Sequence, residues 1–181
     1  MKFIFSILLF ASVLFSSTLN NSILEIHATL MPKILLLENN IEKKIKNNVI
    51  NITIAYEKTN YNEMKFFKQA INRKYPEGIS GYEIKINVIE YANLKECSNE
   101  TNAVYVFPSS KENIDNIVQK YKSCHTVTFA YDKNYLSNNV MLSISLDKKV
   151  KPIINLKAVK DSGISFRPIL LSISKVYKND K

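Results

Sequence analysis

The chain has 181 residues, 46% of them hydrophobic and 23% charged, with a formal net charge of +9. That length supports one domain with a real core, and three glycines, five prolines and the lack of any low-complexity stretch leave nothing that marks a linker or a repeat. The charge does not read as nucleic-acid binding: Arg73 and Arg167 are the only arginines, and the lysines are dispersed apart from Lys43-Lys44-Lys46 and Lys148-Lys149-Lys151.

Taken in chain order, residues 1–18 begin with Lys2, run apolar from Phe3 to Phe15 and end on Ser16-Ser17-Thr18. This pattern predicts a secretory signal peptide, because the apolar run is too short to span a bilayer. No cysteine lies near its end, which argues against a lipoprotein anchor, and no membrane insertion is expected after cleavage. The domain is expected over residues 23–178. Apolar residues three or four apart from Ile26 to Ile45 predict a helix over Ile23–Lys46, kinked or divided at Pro32. Val49–Tyr56 alternates apolar and polar residues and reads as a strand, followed by a helix over Glu63–Lys74 and a second strand over Tyr82–Glu90. Ala103–Phe107 is a short buried-type strand. Ser110 can then cap a helix over Lys111–Tyr121, and Thr126–Tyr131 is the next strand. Val140–Leu146 and Val150–Asn155 flank Asp147-Lys148-Lys149 as a hairpin.

In the closing stretch, Asn155 can end the hairpin strand and cap a short helix, and Gly163 lets the chain turn. A last helix should bury Leu170, Leu171 and Ile173 against the sheet. Strands alternating with helices predict an α/β fold: three layers, a mostly parallel sheet flanked by helices, with a C-terminal antiparallel hairpin at its edge.

Chemistry-bearing residues are few. Cys97 and Cys124 each precede a strand, and if those strands are parallel neighbours both sulfurs lie at one end of the sheet. In an exported protein a disulfide is then expected, the alternative being two unpaired thiols. His27 and His125 are too isolated for a metal site, no nucleophile elbow is present, and the glycines cannot cradle a phosphate. No catalytic residue, cofactor or metal is expected. A ligand or partner surface, if the sheet has one, belongs at the carboxyl ends of its strands: Glu57, Lys58 and Thr59, then Pro108, Ser109 and Ser110, then Asp132 and Lys133. Ordinary polar loops are the plainer reading of these residues.

The stretch from Val140 to Tyr177, with Ile154-Asn155-Leu156, Gly163-Ile164 and Leu170-Leu171, resembles the end of the YfiR-like family, which includes HmsC-type proteins. "HTVTFAYDKNYL", "CSNETNAVYVF" and "INITIAYE" resemble its earlier segments. The chain departs from that pattern in lacking a tryptophan before the first strand and in carrying Asn138-Asn139 where glycines are usual. The resemblance implies a small periplasmic α/β protein that restrains a membrane-bound diguanylate cyclase by contact, under redox or envelope-stress control. Dimers and disulfides recur in that family. The partner it implies is the periplasmic domain of an inner-membrane signalling protein, a cyclase or a histidine kinase, with a homodimer also admitted. A small-molecule-binding module serving a receptor or transporter is the alternative.

Overall fold

Seven strands form one sheet in the order β2-β1-β3-β4-β5-β6-β7 in a computed structural model that describes residues 19–178. The strands are β1 Val49–Tyr56, β2 Glu83–Glu90, β3 Thr101–Val106, β4 Val127–Ala130, β5 Leu142–Ser145, β6 Lys151–Ile154 and β7 Lys175–Val176. All neighbours run parallel except β5 and β6, which pair antiparallel from Leu142↔Ile154 to Ser145↔Lys151. The helices are α1 Asn21–Leu35, α2 Ile41–Lys44, α3 Tyr61–Lys74, α4 Lys111–Lys122, α5 Leu156–Asp161 and α6 Pro168–Ile173. The three-layer, mostly parallel architecture with a late hairpin is therefore observed. The signal peptide expected over residues 1–18 lies outside the described residues.

Alternation along the strands divides the core. Ile50, Ile52 and Ile54 of β1, with Tyr105 of β3 and Phe129 of β4, pack with Leu24 and Met31 of α1 and Phe67 of α3. The intervening Ala55, Val104, Val106 and Ala130 pack with Ile114, Ile117 and Tyr121 of α4. With helices on both faces, β1 is buried at every position from Ile52 to Tyr56, so its polar Thr53 is covered too.

Two expectations fail at the ends of the domain. The first helix divides after Leu35 rather than at Pro32, which sits buried inside α1. The division is set by tertiary contacts. Asn39 donates its N–H to the Ser165 carbonyl at 2.9 Å, and Arg167 donates to Leu37 at 2.8 Å, clasping residues 36–40 to the segment after α5. The buried Glu38 carboxylate accepts from the Asn40 N–H at 3.1 Å and lies 3.3 Å from Lys44 Nζ, so a charge is neutralised within the clasp.

The last helix also stops early, at Ile173, and the chain returns as β7 alongside β6 through Ile153↔Lys175 and Ile154↔Val176. The hairpin is thus covered rather than left as the sheet's edge, removing one unpaired row of backbone groups. Because α6 has only six residues, a single side chain of its row faces inward: Leu170 is fully buried, whereas Leu171 is 43% and Ile173 44% exposed, against expectation. Asn155 does what its position promised. It accepts from the Ala158 N–H at 3.0 Å and donates from Nδ2 to the Leu136 carbonyl at 2.7 Å, capping α5 while tying it to the loop before β5. Gly163 turns with φ +65°, and a Cβ there would meet the His125 ring at 3.3 Å.

His27 of α1 is buried, its Nδ1 2.8 Å from the Tyr105 hydroxyl and its Nε2 without a partner among the described residues. Burial lowers its pKa from 6.5 to about 4. The unfolded chain takes up this proton near pH 6.5 and the folded chain only near 4, so protons in that window favour unfolding. Stability should fall as pH drops from 7 towards 4, by on the order of 3 kcal/mol from this group. Urea midpoints across that range should show the slope, and His27→Gln should flatten it. A slope unchanged in the variant would assign it to other groups.

Candidate functional site

The order of β2, β1, β3 and β4 reverses the winding between β1 and β3, and in such sheets ligands gather in the crevice at that switch, beyond the carboxyl ends of the strands. Here the crevice is closed by the protein's own groups. Glu57, which follows β1, accepts from Ser109 Oγ and from Asn113 Nδ2 of α4, the latter at 2.9 Å. Asn113 Nδ2 also reaches Ser109 Oγ at 3.0 Å. Tyr135 seals the next side: its hydroxyl donates to the Ser109 carbonyl at 2.9 Å and accepts from the Ser109 N–H at 3.0 Å. Below them the Tyr91 hydroxyl donates to the Phe107 carbonyl at 2.8 Å.

Burial raises the pKa of both phenols, most for Tyr91, where Tyr135 and Glu57 add to the effect. Both therefore remain protonated donors at neutral pH. The Glu57 carboxylate has two donors, and the arrangement joins β1, β3 and α4.

Of the residues expected here, the fold brings Glu57 and Ser109 into contact. Lys58 and Thr59 stand exposed in a 3-10 turn at the rim, next to Asn60. Pro108 leads from β3 into the loop, and Ser110 caps α4, accepting from the Asn113 N–H at 3.2 Å. Asp132 accepts from the Asn134 N–H at 2.9 Å to start a 3-10 turn, and Lys133 reaches away to Asp147 at 3.5 Å. Asn113, Tyr91 and Tyr135 were not anticipated. Asn113 stands three residues after the capping Ser110, a spacing that puts it on the first turn facing the crevice.

At the opposite end of the sheet, Cys97 and Cys124 form the expected disulfide, with Cα atoms 6.3 Å apart. The parallel register Ala103↔Val127 of β3 and β4 sets the two preceding segments side by side. Lys120 supports the same junction, 2.9 Å from Glu96. Among the described residues no group of three or more His, Cys, Asp or Glu is placed to hold a metal, and no helix is long and apolar enough to cross a membrane.

The outer surface carries the features that remain open. Ile169 and Leu171 of α6 are 54% and 43% exposed. A groove of about 510 Å³ runs between α1 and β6, lined by Leu30, Ile34, Leu37 and Pro152 and bordered on the α6 side by Ser172 and Ile173.

Among solved structures, a conserved domain protein from Vibrio cholerae is similar over 86% of this chain and 60% of its own, with a TM-score of 0.59 and 14% identity. A domain from Streptococcus pneumonia described as an ABC domain in complex with L-Trp is similar over 80% of this chain and 60% of its own, with a TM-score of 0.50 and 13% identity. The chain thus spans 60% of each of these solved chains, and at such identities the likeness is one of fold. No curated protein matches it. Residues 42–175, from α2 to the start of β7, match the family model described as YfiR/HmsC-like. The chain belongs to the YfiR/HmsC-like family.

Proposed function

We propose that this protein is an exported periplasmic regulator that binds the periplasmic domain of an inner-membrane signalling protein, a diguanylate cyclase or a histidine kinase, and biases its conformational equilibrium. Family membership supports the regulatory role. The observation that carries contact as its means is the set of apolar side chains left exposed on α6. Leu171 and Ile173, expected to be buried, are exposed along with Ile169, while the switch-point crevice is filled by Glu57, Ser109, Asn113 and Tyr135. Exposed apolar side chains clustered on one short element mark a protein contact more readily than a small-molecule site. Binding one conformation of the partner better than the other suffices to shift it.

Ile169→Asp/Leu171→Asp should lower the melting temperature by only a few degrees, since about half of each side chain is already exposed. It should reduce capture of the receptor from detergent-solubilised envelopes by tenfold or more, equivalent to about 1.4 kcal/mol. Cyclic-di-GMP levels should respond to deletion and to this variant alike where the partner is a cyclase. Recovery of no signalling receptor by the wild type, with unchanged cyclic-di-GMP on deletion, would overturn the reading. Export belongs to the same proposal, and the N-terminus of the mature protein tests cleavage after residue 18.

A further inference from the structure

Lysines are scattered over most of this chain, but Lys148-Lys149-Val150-Lys151 concentrates three of them at the turn between β5 and β6. The fold adds three more. Lys175 lies on β7, Lys178 just beyond it, and Lys133 in the 3-10 turn after β4. Two adjoining shallow depressions, of about 500 and 690 Å³, share Lys175 and are lined by these six exposed lysines with one carboxylate, Asp147. Asp147 is already engaged: it accepts from Ser145 Oγ at 2.7 Å and lies 3.5 Å from Lys133 and 3.6 Å from Lys175. The surface is therefore strongly cationic.

It is also edged with apolar side chains. Val150, between two lysines at the hairpin tip, is 50% exposed, and Val176 of β7 is 41% exposed. Lys151 borders both the basic surface and the groove that contains Val150, Pro152 and Ile173, so cations and apolar side chains alternate along one continuous face.

We propose that this face, led by the β5–β6 hairpin, is a peripheral docking surface for an anionic phospholipid bilayer. The charge is all lysine. Nothing in the patch offers the planar guanidinium that favours bidentate phosphate or base recognition, but lysines suit a diffuse anionic plane. Their aliphatic stems can lie against an interface while the ammonium groups stay hydrated, and Val150 projects where it can enter the headgroup region. A bilayer also requires no fixed register, which suits two shallow depressions. In the cell such docking would set the protein close to a membrane-anchored partner. The hairpin and β7 supply its charge, so it does not depend on the contact through Ile169 and Leu171, although Ile173 of α6 borders its apolar margin.

The test is sedimentation of the mature protein with phosphatidylglycerol–phosphatidylethanolamine vesicles, with phosphatidylcholine vesicles as the uncharged comparison. Each lysine near an anionic surface strengthens binding by a factor of about 5. Lys148→Gln/Lys149→Gln/Lys151→Gln should therefore weaken partitioning on the order of 100-fold. Lys65→Gln/Lys74→Gln/Lys85→Gln, which removes the same charge from exposed sites elsewhere, should leave it within about threefold, since distant charges are screened. Val150→Ser should weaken binding severalfold without altering charge, and raising the salt should release the wild type. Equal binding to both vesicle types, an equal loss in the two lysine variants, or retention by duplex DNA without vesicle binding would each overturn the assignment. Loss of receptor capture in the α6 variant with vesicle binding intact would leave it standing.

Discussion

Tyr105→Ala is expected to cost about 5 kcal/mol, the largest single-site loss in the molecule. Tyr105 is fully buried on β3, 4.3 Å from the Phe67 ring of α3 and 5.5 Å from the Phe107 ring. Truncating a buried aromatic typically costs about 3–5 kcal/mol through lost transfer energy and the cavity left behind. Here the hydroxyl is also the partner of His27 Nδ1 at 2.8 Å, and its loss strands a histidine whose Nε2 is already unpaired. That adds about 1–2 kcal/mol for an unsatisfied buried polar group. Tyr105→Phe separates the two contributions: it keeps the ring packing, so about 1–2 kcal/mol of loss should appear. Urea unfolding at pH 7 reads both. With total stabilities of about 5–15 kcal/mol usual for a domain, the alanine variant should be only marginally folded. A loss below about 2 kcal/mol would mean that the sheet and α3 collapse into the cavity.

Periodicity made the central sheet legible, and it did so because the forces there are local to each strand. "VINITIAY" and "YEIKINVIE" alternate, and both became parallel neighbours over eight residues, from Val49↔Glu83 to Tyr56↔Glu90. Asn155 and Gly163 were readable for a similar reason, since a side-chain cap and a positive φ depend on the residue itself. The missed features all depend on distant partners. Nothing near Leu35 tells of the backbone bonds from Asn39 and Arg167 that end the first helix. Nothing in "LSISKVY" announces that Lys175 and Val176 will find β6 rather than extend a helix, because β6 supplies the hydrogen bonds.

The crevice shows the same division. Glu57 and Ser109 could be placed at the carboxyl ends of β1 and β3 by topology alone. That they would satisfy each other, with Asn113 and Tyr135 closing around them, required knowing which loops meet. The placement of these residues at the strand ends was legible, but their contacts with one another were not. The exposed Leu171 carries the converse lesson: a Leu-Leu pair reads as core, yet a six-residue helix has only one inward-facing position to give.

Reduction of the Cys97–Cys124 bond should cost about 3.5 kcal/mol, the second largest effect expected. The bridge closes a loop with a sequence separation of 27, and the chain-entropy relation at that length gives this value at 25 °C. The stabilisation acts through the unfolded ensemble, which a crosslink makes more compact. Cys97→Ser/Cys124→Ser should therefore lower the urea midpoint while leaving the far-ultraviolet circular dichroism of the folded protein unchanged. It should also steepen the dependence of stability on urea, because an uncrosslinked chain exposes more surface on unfolding. Reductant added to the wild type should reproduce both shifts and have no effect on the double variant. Local contacts argue that the native junction survives without the bond: Lys120 still pairs with Glu96, and the β3–β4 register from Ala103↔Val127 to Val106↔Ala130 does not depend on the sulfurs. A large stability loss with an unchanged urea dependence would instead place the effect in the folded state, at the segment between Leu94 and Thr101. Limited proteolysis would then show earlier cutting there in the double variant than in the oxidised protein.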